Sequence, residues 1–447
     1  MRDPASIRTR ALTPLAWHMP CKSARMNSTL SSPPWTCPFC ALLCDRFGVD
    51  AGETLKPAGT TCPRATRALA QFGSVPSQAT PLVNGQPVAD DAALDAAARW
   101  LRASRQPLFG GMATDVAGTR SLYRLANACG AIVDHAHGRA LMHGLTALQD
   151  RGAFTTTLAE IRTRADLIVC VGSSAPSTRH PEFFARCGVG ERASLQREIV
   201  FVGGGIDPAL SGTASDGVST RAIPLQGDLY DTIAALNTSL SARPPRGLHP
   251  ELAALVRRML EARYTAIIWT PADLPGEHAT LLVEGIDRLL KTLNRTTRAG
   301  GLALGGDDGG ATVNQTLTWL SGLPLRTGVH PGGLAHEPHR YDTARLLADE
   351  AVDALLWIAS FTADLRPPET AVPLIVLGHP GLAAACTDRS GPTVFIPVST
   401  PGIGSAGHMF RADGGVVLPL APVYADSLPA VTNVAASLAS RLAEVAA

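Results

Sequence analysis

Short apolar runs alternate with helix-like patterns over most of the chain from Pro107 onward. Continuous apolar runs without alternating polar positions are typical of parallel strands that are buried on both faces. When such runs alternate with helical patterns, they predict parallel sheets covered by helices. The predicted strands are 108–109, 131–133, 167–171, 199–202, 266–269, 353–358, 372–377 and 393–398.

An amphipathic helix is predicted before Gly130, because apolar residues recur there at the spacing of one helix face and a glycine follows the last of them. This places Cys129 in the core, beside the other apolar positions of that face, Leu122, Leu125 and Ala126. Further helices are predicted at 279–293, 311–321 and 428–446, and Asp413-Gly414 predicts a hairpin within 399–420.

Two predicted strands end in glycine-rich loops. The strand 167–171 is followed by Gly172, Ser173 and Ser174, and the strand 199–202 by Gly203, Gly204 and Gly205. In open α/β sheets, ligands bind beyond the carboxyl ends of strands, where small residues let backbone N–H groups approach a phosphate. A ligand loop and an ordinary tight turn are both compatible with this pattern.

The composition describes a globular chain whose 447 residues have room for about three domains. Lys and Arg (39) nearly equal Asp and Glu (38), so no basic surface is expected for nucleic acid or anionic lipid. No apolar run reaches the roughly 18 residues that span a bilayer.

Only 17% of the residues are charged, which favours a surface partly covered by other subunits. Nine cysteines, an odd number, favour the reducing cytoplasm over a disulfide framework.

Residues 1–35 are expected to form a disordered tail. The first part of this segment is basic, with Asp3 as its one acid, but it lacks the apolar core of a signal peptide. Met26 is therefore a candidate for the initiating residue, and Cys21 is assigned no role.

Four cysteines, Cys37, Cys40, Cys44 and Cys62, are spaced as metal ligands. Three thiolates can come from one loop and the fourth from a later turn, as in sites for a 4Fe–4S cluster. Structural zinc is less compatible with this spacing, since zinc sites usually combine two Cys knuckles or one knuckle with histidines. Four thiols without a metal are the third alternative.

Three histidines, His135, His137 and His143, lie close together in the sequence and could bind a metal or transfer protons. His135 and His137 are expected to share one face of a strand, but His143 lies six residues further on. This spacing favours histidines at a polar interface over a set of metal ligands. His180 can likewise be a residue of a polar interface or a metal ligand. No catalytic residue is assigned, and His143 is the one candidate. Three cysteines are predicted to be small buried apolar residues: Cys170, Cys187 and Cys386.

Four blocks of sequence occur in a specific order: Cys37 to Cys62, Gly130 to Gln149, Val313 to Trp319, and Gly402 to Gly414. In this order they resemble the B subunit of formylmethanofuran dehydrogenase, a member of the molybdopterin oxidoreductase superfamily. The resemblance implies an α/β protein with a small Fe–S-type N-terminal domain and two Rossmann-like doubly wound domains, one inserted in the other. It also implies no C-terminal β-barrel, because the pterin-binding barrel of this family is a separate subunit.

The implied domains follow the order of the blocks. They are a 4Fe–4S-type domain at 36–75, an α/β domain II at 76–132 and 325–425, an inserted α/β domain III at 133–324, and a C-terminal helix at 426–447.

The resemblance assigns the four cysteines to a 4Fe–4S cluster, but it implies a changed molybdenum or tungsten site. In the dehydrogenases, a Cys or selenocysteine followed by His-Gly-Pro binds this metal. A gapped match places Met142 there, followed by His143, and an ungapped match places Ala140 there. A thioether does not supply the anionic donation of a thiolate. The loops Gly172–Ser174 and Gly203–Gly205 match the pterin loops but lack their arginine and amide, so the bis-pterin guanine dinucleotide is expected to be absent.

Two functions are compatible with the resemblance. The favoured one is a redox-silent structural subunit of a bacterial formyltransferase/hydrolase complex, which converts formyl-tetrahydromethanopterin to formate by way of a methanofuran-type carrier. The alternative is an active molybdenum or tungsten formylmethanofuran dehydrogenase subunit. The implied partners are an amidohydrolase-like A subunit, a β-helical C subunit, a formyltransferase D subunit and, where a pterin is bound, a separate β-barrel subunit.

Overall fold

The computed structural model describes residues 35–73, 79–190, 196–211, 217–241, 246–276, 278–330 and 332–444. Apart from Trp35, the N-terminal tail predicted at 1–35 lies outside the described residues. Within the described ranges, no helix combines the length and the hydropathy needed to cross a membrane.

The strands of the described residues carry most of the predicted apolar runs. In chain order they are β1 (Gly48–Ala51), β2 (Leu55–Ala58), β3 (Leu82–Val83), β4 (Gln86–Pro87), β5 (Pro107–Ala113), β6 (Ile132–Val133), β7 (Leu167–Val171), β8 (Arg197–Val202), β9 (Val218–Ile223), β10 (Thr265–Trp269), β11 (Ala299–Ala303), β12 (Thr327–His330), β13 (Gly333–His336), β14 (Ala354–Ala359), β15 (Leu374–Gly378), β16 (Thr393–Pro397), β17 (Gly407–Phe410) and β18 (Val417–Leu420).

The helices lie between these strands. In chain order they are α1 (Pro63–Leu69), α2 (Asp90–Ala103), α3 (Val116–Cys129), α4 (Gly138–Arg151), α5 (Leu158–Arg164), α6 (Pro176–Arg179), α7 (Phe183–Arg186), α8 (Leu229–Ser239), α9 (Pro250–Glu261), α10 (Ala279–Leu293), α11 (Gly310–Ser321), α12 (Thr343–Ala348), α13 (Ala383–Thr387) and α14 (Val431–Ala443). Short 3-10 turns occur at Pro208–Leu210, Pro271–Asp273 and Pro380–Leu382.

Sheet A has nine strands, in the order β13-β12-β6-β5-β14-β15-β16-β3-β4. Its centre, from β6 to β16, is parallel, and its edge strands pair antiparallel. The central strands β5, β14, β15 and β16 are buried at every residue, as expected for parallel strands with helices on both faces. Helix α14 packs against α3 on one of these faces, so the predicted terminal helix belongs to this core.

Sheet B has five parallel strands, in the order β11-β10-β7-β8-β9. Strands β7 and β10 lie in its middle and are wholly buried, which agrees with their continuous apolar sequence. The amphipathic helix α10 covers one face, and its packing partners include α8 and α4.

The N-terminal segment forms a third layer. Strands β1 and β2 pair as a short antiparallel ladder, and α1 follows them. Phe39, Phe47 and Leu69 of this segment share one core with Ile168 and Ile268 of sheet B. The cysteine-containing segment therefore shares a continuous hydrophobic core with sheet B.

The mixed α/β fold with several sheets is confirmed. Gly130 ends α3 with a left-handed φ of 70°, and β17 and β18 form a hairpin in which Gly414 has a φ of 66°. Cys170, Cys187 and Cys386 are buried as predicted, but Cys129 is only half-buried because it lies at the end of α3.

Candidate functional site

Four cysteine side chains from two segments line one small cavity, here called the cysteine cavity. Cys37, Cys40 and Cys44 come from a loop that folds back on itself, because the Cys37 N–H donates to the Cys44 carbonyl at 2.9 Å. Leu43 closes this loop with a left-handed φ of 45°. Cys62, the residue just before α1, lines the same cavity. The structure therefore brings the four predicted ligands together.

Burial dominates the electrostatics of these thiols. Burial, and then the Asp307 carboxylate, raise the pKa of the Cys40 thiol to about 12, although the Arg64 guanidinium lowers it. Burial also raises the pKa of Cys37 and of Cys44, and the charge of Cys40 raises both further. Such thiols keep their protons at neutral pH unless a metal centre displaces them.

Across the described ranges, no group of three or more His, Cys, Asp or Glu side chains is arranged to hold a metal ion. A structural zinc ion needs its donors at about 2.0–2.3 Å from one point, and the choice between zinc, a 4Fe–4S cluster and four thiols without a metal stays a prediction. A 4Fe–4S centre is larger, and its four thiolates surround a cluster instead of one ion.

A larger cavity, of about 280 Å³ and open to solvent, lies beyond the carboxyl ends of β10 and β11. Helices α4, α10 and α11 complete its walls, and we call it the central cavity. Most of its lining is apolar, and no cysteine is present among the described residues that line it. Its titratable side chains are His135, His137, Arg179, Asp287 and Asp307.

Helix α4 separates the central cavity from a second one, of about 480 Å³, here called the lateral cavity. Ala140 and Gly144, one turn apart, line the central cavity. Met142 and His143 line the lateral cavity instead, and Met142 is only 3% exposed. Of the two residues matched to the lost metal-ligand position, the one on the central cavity is therefore Ala140, whose methyl group binds no metal.

The three histidines do not form one group. The strand predicted through His135 and His137 ends at Val133, because the chain turns there towards α4. His135 Nε2 lies 3.0 Å from the Asp308 carbonyl oxygen, and His137 Nε2 lies 2.9 Å from the Asp308 carboxylate. His143 lines the lateral cavity, where its Nδ1 lies 3.5 Å from the Thr280 hydroxyl.

The neighbouring imidazoles of His135 and His137 differ in their affinity for protons. Burial, and then the charge of His137, lower the pKa of His135 to about 4. The hydrogen bond to Asp308 raises the pKa of His137. His135 is therefore neutral at physiological pH, and His137 is the one that takes up a proton first.

Asp307 joins the cysteine segment to the rim of the central cavity, and the sequence analysis missed it. Its Oδ1 accepts the Ala41 N–H at 2.9 Å and lies 3.2 Å from His180 Nε2, and its Oδ2 accepts from Arg64 at 2.9 Å. Burial alone would raise the pKa of Asp307, but the hydrogen bond and charge of His180 and the charge of Arg64 hold it well below its usual range. The available signal was Gly-Gly-Asp-Asp-Gly-Gly at 305–310, between a strand and a helix.

Glycines let this loop approach its neighbours. Gly309 has a left-handed φ of 78°, and a Cβ there would lie 2.6 Å from the Thr114 carbonyl oxygen. A Cβ on Gly310 would lie 3.1 Å from the ring of His135. The loop thus reaches both the nearest strand of sheet A and the histidine pair only because these positions lack side chains.

The two glycine-rich loops after β7 and β8 contact each other. A Cβ on Gly204 would lie 2.9 Å from the Gly172 carbonyl oxygen. Behind them, Asp207 accepts the backbone N–H groups of Ser177 and Ala209, each at 2.9 Å. The six predicted pterin-loop residues are all described, and none of them lines the central cavity: Gly172, Ser173, Ser174, Gly203, Gly204 and Gly205.

Proteins of two related kinds are similar to this chain in sequence. It is 29% identical over 355 residues to the B subunit of the formyltransferase/hydrolase complex Fhc of Methylorubrum extorquens, a match that covers 79% of this chain and 94% of that protein. It is 25% identical over 413 residues to the B subunit of the tungsten-containing formylmethanofuran dehydrogenase 2 of Methanocaldococcus jannaschii, a match that covers 85% of this chain and 90% of that protein. No family model matches the chain.

One solved structure agrees with these matches. The fold is similar to a chain in the crystal structure of the formyltransferase/hydrolase complex FhcABCD from Methylorubrum extorquens, determined with methylofuran. The TM-score is 0.70 at 28% identity, and the match covers 82% of this chain and 99% of the other. The resemblance of this chain to the B subunit of formylmethanofuran dehydrogenase, in the version found in a bacterial formyltransferase/hydrolase complex, is therefore confirmed.

Proposed function

We propose that this chain is the B subunit of a formyltransferase/hydrolase complex in methanofuran-linked one-carbon metabolism. The complex would convert formyl-tetrahydromethanopterin to formate by way of a methylofuran-type carrier. The observation that carries this proposal is the structural match, which extends over 99% of one chain of the solved FhcABCD complex. Similarity over a whole subunit supports the same place in an assembly more strongly than similarity over one domain.

Within this complex we assign the chain a structural role without metal-dependent redox catalysis. Ala140 lines the central cavity where the dehydrogenases have a metal-binding Cys or selenocysteine. The nearest alternative, the thioether of Met142, lies on the lateral cavity and is uncharged. Neither side chain supplies the thiolate that a high-valent molybdenum or tungsten ion requires.

We further propose that Cys37, Cys40, Cys44 and Cys62 hold a 4Fe–4S cluster. In support of this, all four are buried free thiols on one cavity, a donor set typical of iron–sulfur sites. Arg64 lines the same cavity, so its positive charge would stabilise the thiolates. Such a cluster supplies one-electron transfer when it is bound, and the proposed formyl chemistry does not require it.

The domain assignment is also a proposal. We place the 4Fe–4S-type domain at 36–75, domain II around sheet A, and inserted domain III around sheet B, with 426–447 as the terminal helix. One boundary changes from the sequence-based assignment of 324. Val313 and Leu317 of α11 pack in the core of sheet A, so we place the end of the insertion in the loop 305–310.

We propose the partners implied by the resemblance: an amidohydrolase-like A subunit, a β-helical C subunit and a formyltransferase D subunit. Trp319 and Leu320 of α11 are 69% and 40% exposed, which supports burial of this helix against another chain. The eight described cysteines are free thiols, which supports a reducing compartment, and we place the complex in the cytoplasm.

The alternative is an active molybdenum or tungsten formylmethanofuran dehydrogenase subunit. Two matches favour this alternative. One is the similarity to the Methanocaldococcus jannaschii protein. The other is the 23% identity over 407 residues to the corresponding protein of Methanococcus maripaludis. The absence of a thiol on the described lining of the central cavity opposes it.

The decisive experiment is purification of the complex through this chain under anaerobic conditions. We expect formyl transfer and formate release without stoichiometric molybdenum or tungsten in elemental analysis. Met142→Ala should leave both activities almost unchanged, and deletion of the whole chain should lower the yield of the assembled complex. Stoichiometric molybdenum or tungsten, together with reduction of a viologen dye by formylmethanofuran, would establish the alternative instead.

A further inference from the structure

Helix α10 buries one carboxyl group among apolar side chains. Asp287 is 5% exposed and lines the central cavity together with Val283, one turn earlier. An ionised carboxylate is costly to bury unless it is paired, so a carboxyl group at such a position requires an explanation. The rest of this buried helix face is hydrocarbon: Leu282, Ile286, Leu289, Leu290 and Leu293.

Asp287 lacks the partners that the other charged groups of the central cavity have. Arg179 donates to Asp273 at 2.8 Å, and both His137 and Asp307 belong to the networks described above. Within the described part of the chain, no hydrogen bond or ion pair involves the Asp287 carboxyl group, and its electrostatic neighbour is another acid.

Burial, and then the charge of Glu284, raise the pKa of Asp287 to about 7. Glu284 itself lies 3.5 Å from Arg151, so the nearest cation is already paired. The residues that α4, α11, β10 and β11 contribute to the described lining of the central cavity are all uncharged. The Asp287 carboxyl group therefore lines a mostly apolar cavity and has no ion-pair partner among the described residues.

The Trp269 ring, together with Phe154 and Leu304, gives the central cavity aromatic and aliphatic walls. Its volume of about 280 Å³ is enough for a molecule with a single ring, so the cavity offers space for a ring next to one carboxyl group.

We propose that the central cavity binds an organic amine with an apolar aromatic body, and that the ammonium group of this ligand pairs with the Asp287 carboxylate. An anionic ligand would be repelled by this carboxylate, and a neutral hydrocarbon would leave it unpaired. A cation with an apolar body avoids both the repulsion and the unpaired carboxylate. The inference rests on the lining of the cavity and does not depend on the proposed function of the complex.

The test is a titration of the full-length protein with benzylamine, benzyl alcohol and benzoate, followed by calorimetry. We expect benzylamine to bind, and benzyl alcohol and benzoate to bind about tenfold or more weakly. Asp287→Asn should reduce the affinity for benzylamine about tenfold or more and leave that for benzyl alcohol unchanged. The matched control is Asp150→Asn, at the exposed end of α4, which should change neither affinity.

The same interaction predicts a proton release. The ammonium group pairs with the ionised form of Asp287, so below pH 7 binding must expel the carboxyl proton. The affinity for benzylamine should therefore fall about tenfold for each pH unit below 7 in the wild type. Calorimetry at pH 6 in two buffers of different ionisation enthalpy measures the released proton, and Asp287→Asn should abolish it.

A stability measurement distinguishes a ligand site from a structural role. If Asp287 serves a ligand, Asp287→Leu removes an unpaired buried carboxyl group, so Tm at pH 8 should rise by about 2–4 °C while benzylamine binding is lost. A structural role predicts a lower Tm instead. The proposal is overturned if benzylamine does not bind the wild type, if it binds Asp287→Asn equally well, or if Asp287→Leu lowers Tm.

Discussion

The cysteine cavity and the central cavity contain opposite sets of side chains. The first is small and is surrounded by four thiols. The second, of about 280 Å³, is larger and mostly apolar, and its described lining includes Ala140 but no thiol. Asp307 lies between them, since it accepts from the cysteine loop on one side and lines the central cavity on the other.

This difference shows that the frame of a site and its reactive groups depend on different residues. The central cavity is framed by strand ends and by helices α4, α10 and α11, so its shape depends on many residues at once. The cysteine cavity depends on four individual side chains. Similarity of fold therefore supports a similar frame, but a metal has to be argued from the individual side chains.

The largest expected effect is on the cysteine cavity. Cys40→Ser should remove the iron and the visible absorbance of the anaerobically purified protein almost completely, because a 4Fe–4S cluster needs four thiolates. Formate release by the complex should be unaffected if the chain is redox-silent. Cys129→Ser, on α3, serves as the control and should keep its iron. A wild-type protein that binds no iron under these conditions would show that the cluster proposal is wrong.

The frame of the central cavity is expected to depend on Arg326. This buried guanidinium donates to Asp134 at 3.2 Å and to Asp342, and Asp134 lies directly under the start of α4 at Gly138. Arg326→Met removes the cation of Asp134 and leaves Asp342 with only the exposed Arg139 at 3.5 Å, so the free energy of unfolding in urea should fall by about 3–5 kcal/mol.

The control for this variant is Arg345→Met, whose exposed pair with Asp349 should contribute less than about 1 kcal/mol. The loss of unfolding free energy in Arg326→Met should become smaller as the pH falls towards 4, because protonation removes the charges of Asp134 and Asp342. A deficit equal to that of Arg345→Met would mean that the buried pairs do not maintain the frame.

Asp307 connects the two cavities, and its contribution to the free energy of unfolding should depend on pH. Its pKa is lower in the folded than in the unfolded protein, so the stability it contributes is present above about pH 4, the unfolded pKa, and is lost as the pH falls further. Asp307→Asn should reduce the free energy of unfolding by about 1–3 kcal/mol at pH 7.

The difference between wild type and Asp307→Asn should therefore diminish in unfolding curves recorded at progressively lower pH. Asp308→Asn is the matched control, since its carboxylate pairs with the half-exposed His137, and its effect should be below about 1 kcal/mol. A pH-independent effect of Asp307→Asn would contradict the charge-based connection.

The smallest effect tests which side of α4 faces the central cavity. Ala140→Cys should be alkylated by iodoacetamide faster than Met142→Cys, because Ala140 is partly exposed and Met142 is buried. Ala140→Cys should differ little from the wild type in Tm, whereas Met142→Cys should lower Tm, because the shorter side chain leaves a cavity in the core that Met142 shares with sheet A. Equal labelling rates, measured by mass spectrometry against the wild-type background, would contradict the assignment of Ala140 to the central cavity.

Much of the fold was predictable because its signals are local. Continuous apolar runs such as Leu167 to Val171 predicted the buried strands, and Gly130 predicted a helix end. The spacing of the cysteines predicted that they would share one cavity, since three of them lie within a single loop. Patterns of this kind depend on backbone preferences over a few residues, which the sequence states directly.

Only the tertiary structure determined which polar side chains pair and which cavity each side chain of α4 lines. Arg64 and Asp307 are 243 positions apart in the chain, and Asp134 and Arg326 are 192 apart, so no local pattern could pair them. Helical spacing put Ala140 and Met142 on different faces of α4, but which face met the central cavity depended on how sheets A and B were packed. A side chain acquires its function from neighbours that only the folded chain brings within contact distance.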